Sequence, residues 1–445
     1  MTTVAVAETD GVALSQAPTE KDVIRKIFWR VLPYIVVLYM LNFIDRVNVS
    51  FAALTMSKDL GFSATVYGFG AGIFFLGFFL CEIPSNLMLE RYGARRWIAR
   101  IQLSWGLAAM AMAFTAGETS FYWLRFLLGV AEGGFFPGMI LYMTYWFPSA
   151  YRARVIGAYL VAIPIASVIG SPISSALLSM DGIWGWKGWQ WLFILEGLPT
   201  VLLAFVTWKI MPDKPESCNF LLPQEKNVIV PMLQREEAER KAVRHFSLWE
   251  ALLNWRVLTL TVIYFCITIG LYGITFWLPQ IIRTFGFSNF AIGFVTAAPF
   301  LFATVAMLTW VRLSDRSGER VFNAAAACVL VSISLAASTT FTNPLYAMIC
   351  MAFAITGTLV AMSMLWTMST TFLTGTAAAG AFASISAFAN LSGFVGPFAI
   401  GWLKDLTGSF GGALVGLASF GIIAAVIIVS LPKDKLFAQA LRRRP

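Results

Sequence analysis

Twelve apolar runs of about twenty residues divide this chain, and no other feature restricts its fold as strongly. A helix of ~20 apolar residues is long enough to cross the hydrocarbon core of a bilayer. The runs lie near 31–54, 66–89, 98–116, 120–146, 153–178, 190–211, 255–279, 291–311, 321–340, 344–372, 378–402 and 412–431. Only 12% of the 445 residues are charged and 58% are hydrophobic, against about 25% charged in a soluble domain. So few charges cannot cover a surface of this size for water. The chain is expected to be an all-α integral membrane protein.

The net charge of +9 would suggest a nucleic-acid partner in a soluble protein. Here the basic residues collect in short loops, where they set orientation instead. Lys21, Arg25, Lys26 and Arg30 precede span 1, and Arg91, Arg95, Arg96 and Arg100 follow span 2. Arg152 and Arg154 follow span 4, Arg312, Arg316 and Arg320 follow span 8, and Arg442, Arg443 and Arg444 end the chain. The alternate connections, such as "AGETS" and "TTFTNP", are nearly free of Lys and Arg. Both termini are therefore expected in the cytoplasm, and no cleavable signal is expected ahead of span 1. The five cysteines have no regular spacing and the one histidine, His245, lies in the central polar stretch. Neither a disulfide framework nor a metal centre is expected.

The longest polar stretch, 212–254, separates six spans from six. The expected organisation is a tail (1–30), a six-helix bundle (31–211), a cytoplasmic linker (212–254), a second six-helix bundle (255–431) and a tail (432–445). Two short sequences recur across the linker. "WRVL" opens span 1 at Trp29 and span 7 at Trp255, 226 residues later. "ERYGAR" from Glu90 and "DRSGER" from Asp315 share an acid-Arg-x-Gly-x-Arg pattern at an offset of 225. Two matches at nearly one offset, in corresponding loops, indicate duplicated halves. Repeated six-helix halves are a transporter architecture, with substrate bound at the midplane between them.

The acid-Arg-x-Gly loop after span 2, repeated after span 8, resembles the signature of the major facilitator superfamily. "NFIDRVNVSFA" (42–52), "EGGFFPGMI" (132–140) and "NLSGFVGP" (390–397) resemble its anion:cation symporter family. "PSNLMLERYGARRWIARI" is most similar to bacterial tartrate and phthalate permeases. The chain departs from the pattern at Asn86 and Val311, where the loop usually opens with glycine, and at Ser386, where many relatives carry asparagine. The resemblance implies a twelve-helix major facilitator fold with two pseudo-symmetric bundles. It also implies proton-coupled uptake of a small organic anion such as a sugar acid, a tartrate-like acid or a phthalate-like carboxylate. The span 1 aspartate and span 4 glutamate that couple protons in that family fall on Asp45 and Glu132, and its paired arginines on Arg46 and Arg125. Glu90, Arg91, Asp315 and Arg316 would brace one state of the carrier across the cytoplasmic face.

Depth supports a cluster. At ~1.5 Å per residue, Asp45 lies about 10–14 Å below the outer end of span 1, with Arg125 roughly 8 Å and Glu132 roughly 18 Å below that of span 4. Arg125 and Glu132, seven residues apart, share one helix face. Spans 1 and 4 are thus expected to gather Asp45, Arg46, Arg125 and Glu132, with Arg46 nearer the substrate and Arg125 serving Asp45. The plainer reading is a pair of salt bridges docking two helices. Against it, a charge at the bilayer centre costs about 2.5–3.5 kcal/mol, and desolvation offsets most of a buried pair's attraction. The second half has Leu271 and Tyr272 where the 226 offset would put Asp45 and Arg46. It offers Tyr272, Gln280, Ser369, Thr370, Thr371, Asn390, Trp277 and Trp366 for the non-ionic part of a substrate, Asn390 foremost. Arg46, Arg125, Tyr272, Trp366, Ser369, Thr371 and Asn390 are the candidate substrate contacts.

The triplet Gly68, Gly70, Gly72 follows no strand, so it fits close helix packing better than dinucleotide binding. Glu82 and Glu196 fit structural contacts better than function. A membrane enzyme would need a nucleophile–base pair, a metal set or a phosphate loop, and none is visible. A channel is disfavoured by the duplicated halves, and an exporter of organic anions or drugs is the nearest rival. The expected partners are the organic anion, protons and lipid, with no nucleic acid and no cofactor. The expected setting is a monomer in a bacterial inner membrane.

Overall fold

The computed structural model describes residues 18–241, 254–372 and 377–431, with side chains for all of these except 153, 239–241, 369–372 and 377–383. Every regular element among them is helical. Span 1 comprises Glu20–Val47 and Val49–Asp59, span 2 Ala64–Tyr92, and span 3 Ala94–Ala111. Span 4 comprises Glu118–Glu132 and Phe135–Trp146, span 5 Ser149–Leu160 and Ala162–Leu178, and span 6 Gly188–Ile210. The second half follows as Trp255–Arg283, Asn289–Ser317, Val321–Ser338, Pro344–Phe372, the pair Ala377–Asn390 and Ser392–Thr407, and Gly411–Ser430.

Among the described residues, eleven helices are long and apolar enough to cross a membrane. Span 3 is the twelfth, and it falls short on composition alone. Its 18 residues include Arg95, Arg96 and Arg100 near one end, where long basic side chains lie along apolar surface and carry their heads outward. Arg100 does so across the Trp97 ring, 4.1 Å from its centroid. Span 1 starts well before residue 31, because Thr19 caps it: its hydroxyl accepts from the Asp22 amide at 3.3 Å. Caps also repeat between the halves. Ser63 accepts from the Val66 amide to open span 2, and Ser288 accepts from the Ala291 amide to open span 8. The two serines are separated by the same 225 residues as the loop motif.

The expected linker contains a helix, Pro223–Lys241, tied to the first half. Lys26 Nζ contacts Glu225 at 2.7 Å, and Glu236 accepts from the Ser149 amide, the Ser149 hydroxyl and Arg152 at 2.9, 2.8 and 3.0 Å. A cleft of about 330 Å³ beside it is lined by Tyr145, Arg152, Lys214 and Glu236 among others. His245, the C-terminal arginines and most of the N-terminal tail lie outside the described residues.

The halves meet at the end away from the termini. Span 2 packs on Ser392–Thr407 of span 11, span 7 on Val49–Asp59 of span 1, and span 8 on Ala162–Leu178 of span 5. Gly68 and Gly72 make the first contact close, since a methyl at either would collide with the Pro397 or Phe394 carbonyl. Gly70 instead accommodates the Phe121 ring within the first half. Tyr67 donates to the Phe276 carbonyl at 2.7 Å and meets the Trp277 ring edge-on. Asp405, at the end of span 11, accepts from the Ala64 and Thr65 amides at 3.1 and 2.7 Å. It thereby satisfies the open N-terminus of span 2, where negative charge is favoured. At the opposite end, Phe135–Trp146 and Ser149–Leu160 make no extensive contact with the second half among the described residues.

Candidate functional site

The broken helices create the site. Span 4 stops at Glu132 because Gly133 leaves the helix and Gly134 takes φ +90, a left-handed conformation. Ser85 presses against Gly134 so closely that a Cβ there would collide with its side chain. Glu132 therefore ends a half-helix, where the dipole disfavours a carboxylate unless a cation answers it. Arg46 is that cation. It occupies the last turn of Glu20–Val47, a favourable end for positive charge.

The Arg46 Nε donates to Glu132 Oε1 at 2.8 Å, and a second guanidinium nitrogen bonds the same oxygen. That second nitrogen also approaches Asn42 Oδ1 at 3.4 Å. Both partners are buried, at 6% and 0% exposure, so removing one strands the other at a cost of about 3–5 kcal/mol. Glu132 Oε2 has no hydrogen-bond partner. The face of Arg46 lies 5.4 and 5.1 Å from the Phe74 and Phe78 centroids.

Arg125 does not serve Asp45, contrary to the expectation from depth. Its Nε and one terminal nitrogen donate to the Gly70 and Ala71 carbonyls at 3.3 and 3.0 Å, and its other terminal nitrogen is unpartnered. It also flanks Phe74, at 5.0 Å. Asp45 points into the first bundle. Its Oδ2 accepts from Trp105 Nε1 at 2.8 Å and from Thr200 Oγ1 at 2.9 Å. Adjacent residues in a helix differ by about 100° in direction, so Asp45 and Arg46 cannot both face the same partner. The expected four-residue cluster thus separates into an Arg46–Glu132 pair, an Arg125 bound to backbone, and an Asp45 on spans 3 and 6.

Across the interface, Tyr272 packs on Phe75 with ring centroids 4.5 Å apart and donates to Asn390 Oδ1 at 3.3 Å. Its hydroxyl lies within electrostatic reach of Arg46. Trp366 meets Tyr264 edge-on at 5.1 Å. Ser386 is buried. The side chains of Ser369, Thr370 and Thr371 lie outside the described residues. The loop residues Glu90, Arg91, Asp315 and Arg316 are exposed. Asp315 contacts Arg320 of its own half at 3.4 Å and Arg91 lies over Tyr92; among the described residues no ion pair joins the two loops.

Trp105 and Thr200 escaped the sequence reading, whereas Asp405 stood out in it as a charge at the outer end of span 11. A tryptophan and a threonine in apolar runs give no signal of a carboxylate partner. Asp405 did give one, as an acid in a half whose span interiors are almost without charge.

The arrangement holds buried, convergent polar groups between two six-helix halves, and comparison with known proteins accords with it. The family model described as Major Facilitator Superfamily matches residues 35–374 and 260–442. A protein of Agrobacterium vitis named "Putative tartrate transporter" is 46% identical over 96% of this chain and 94% of its own length. The "Quinolone resistance transporter" of Acinetobacter baumannii is 41% identical over 92% of this chain and 95% of its own. A bacterial homolog of the human lysosomal transporter Spinster, solved in an inward-facing and occupied conformation, shares the fold with a TM-score of 0.72 at 16% identity, over 90% of this chain and 96% of that one. The chain belongs to the Major Facilitator Superfamily, as a transporter rather than an enzyme, and fits the anion:cation symporter family that its span 1 and span 4 motifs resemble.

Proposed function

We propose that the protein is a proton-coupled symporter that takes up a small organic anion by alternating access. The observation that carries this reading is the Arg46–Glu132 pair, buried between spans 1 and 4 and within reach of Tyr272 on the other half. Protonating Glu132 removes the charge that holds Arg46 and frees its planar, two-pronged donor for a carboxylate. Proton and anion then favour each other's binding, as linkage requires. Tyr272, Trp366, Ser369, Thr371 and Asn390 take the non-ionic part of the anion, and a tartrate-like hydroxy acid suits such groups. The relative named for tartrate supports that substrate class.

Asp45 is the second proton-coupling acid. Each positive charge carried inward beyond the anion's own charge adds about 2.3 kcal/mol per 100 mV. The proton gradient is the energy source and no cofactor takes part. The protein works as a monomer in a bacterial inner membrane, with both termini in the cytoplasm. The halves 31–211 and 255–431 rock about the site, with 212–254 as linker. On that orientation the closed end faces outward and the present state faces inward. Glu90, Arg91, Asp315 and Arg316 pair across the halves when the carrier turns outward.

Export is the second reading, favoured by the relative named for quinolone resistance. Proteoliposomes decide between them. An inward proton gradient should accumulate one or more acids from a panel of tartrate, sugar acids and phthalate. Proton-driven movement of quinolones against their gradient, with no organic acid accumulated, would establish export and sink the uptake reading.

A further inference from the structure

Asp45 has a companion that the Arg46–Glu132 mechanism leaves unused. Its Oδ1 has no hydrogen-bond partner. One turn before Thr200, Glu196 is buried on the same helix, and Ser174 donates to its Oε1 at 2.6 Å. Glu196 Oε2 makes no hydrogen bond of ordinary geometry, and Asn48, at the break in span 1, is the side chain that approaches this carboxyl. Asp45, held by Thr200 one turn along that helix, is the charged group within electrostatic reach of Glu196, and Asp45 is itself within reach of Glu132 on span 4. Trp105 from span 3, Ser174 from span 5 and Asn48 from span 1 are neutral. Two buried acids thus meet span 6 one helical turn apart, at Thr200 and Glu196, and among the described residues no ion pair reaches either.

Ser174 also lines a cleft of about 10 Å³ between the halves, together with Ser50, Thr275 and Thr296. Those three hydroxyls are buried and unpartnered. A space of this size with several polar groups suits one water molecule. It sits where spans 1 and 5 meet spans 7 and 8, at the end where the halves are now closed. Separation of the halves at that end would open it to solvent.

We propose that Glu196 is the entry residue of a proton path to Asp45, running from the inter-half cleft past Ser174. The inference rests on the proton-coupled reading and adds its route. Hydronium in the opened cleft gives its proton to the Glu196 carboxylate and leaves as water. Glu196 hands the proton to Asp45 and returns to carboxylate. The Ser174 hydroxyl can accept and donate in turn, which lets it relay between the cleft and Glu196.

The test needs no transported substrate. The full-length protein in lipid is subjected to a pH step on the side away from the termini. Infrared difference spectra then follow the protonated-carboxyl band that Asp45→Asn removes. In Glu196→Gln this band should appear about a hundredfold more slowly, the low end of what a positioned proton-transfer group contributes. Ser174→Ala, which leaves both acids in place, should slow it as well and serves if Glu196→Gln does not fold. A band that rises at the wild-type rate in both variants overturns the path while leaving Asp45 as a proton carrier. If Asp45→Asn removes no band at all, proton coupling at Asp45 fails and the path falls with it.

Discussion

The two arginines make the sharpest contrast between single residues. Arg46 answers a carboxylate, whereas Arg125 donates to two backbone carbonyls of span 2. Lysine keeps the charge but loses the planar fork. Arg46→Lys should therefore weaken substrate binding tenfold or more, about 1.4 kcal/mol, with little change in melting temperature. Arg125→Lys should instead lower the melting temperature, because an ammonium cannot span both the Gly70 and Ala71 carbonyls. Calorimetry and equilibrium binding on the two variants check this, and equal binding losses without a stability difference would refute it. The acids differ in the same way. Glu132→Gln should abolish gradient-driven accumulation while keeping some substrate exchange, since an amide still fills the space beside Arg46 but cannot release a proton. Asp45→Asn should flatten the pH dependence of uptake. Coupled uptake intact in both variants would leave these acids as docking residues.

Two contacts between elements lend themselves to measurement. Asp405 of span 11 adds to the Ser63 cap of span 2 by accepting from the Ala64 and Thr65 amides, and its loss should cost about 0.5–2 kcal/mol. The bond exists only while the halves are closed at that end. Asp405→Ala should thus shift the carrier toward the opposite state, and a cysteine at Tyr67 should label faster from the side away from the termini. Unchanged labelling would show that the contact does not bear on closure. The second contact holds the linker helix. Burial alone would raise the carboxyls of Glu225 and Glu236, but hydrogen bonds from Lys26 and Leu222, and from Ser149 and Arg152, outweigh it and hold both below the ordinary value. A carboxyl lowered on folding stabilises above its unfolded value, about 4.3, and loses that contribution as pH falls through the lowered one. Glu236→Gln should cost about 1 kcal/mol at neutral pH, a difference that vanishes in acid. Thermal melts at pH 7 and below pH 4 check both halves of that statement.

For the whole molecule, the closed end carries glycine contacts, an aromatic pair and the Asp405 cap, while the loops after spans 2 and 8 make no ion pair across the halves among the described residues. Combining Glu90→Gln with Asp315→Asn should therefore leave the stability of this state within about 0.5 kcal/mol, as for surface changes generally. Turnover should fall, because the opposite state loses its brace. Melting and transport measured on one preparation separate the two effects; a large loss of stability with normal turnover would reverse the assignment.

Element number, duplication and the presence of intramembrane charge were legible in the residues themselves. A bilayer demands about twenty apolar residues per crossing, so runs such as 344–372 translate directly into helices, and a charge within one stands out against its neighbours. The offset that links Glu90 to Asp315 also links the caps Ser63 and Ser288. Direction was not legible. A helix apolar on every side offers no amphipathic stripe to fix its rotation, and the break after Glu132 turns on a left-handed glycine pressed by Ser85 from another span. Whether Glu132 meets Arg46 or Arg125, and whether Asp45 meets either, depends on how several such helices pack together. Only the tertiary structure decided that Arg46 takes Glu132, that Arg125 binds backbone, and that Asp45 turns inward to Trp105 and Thr200.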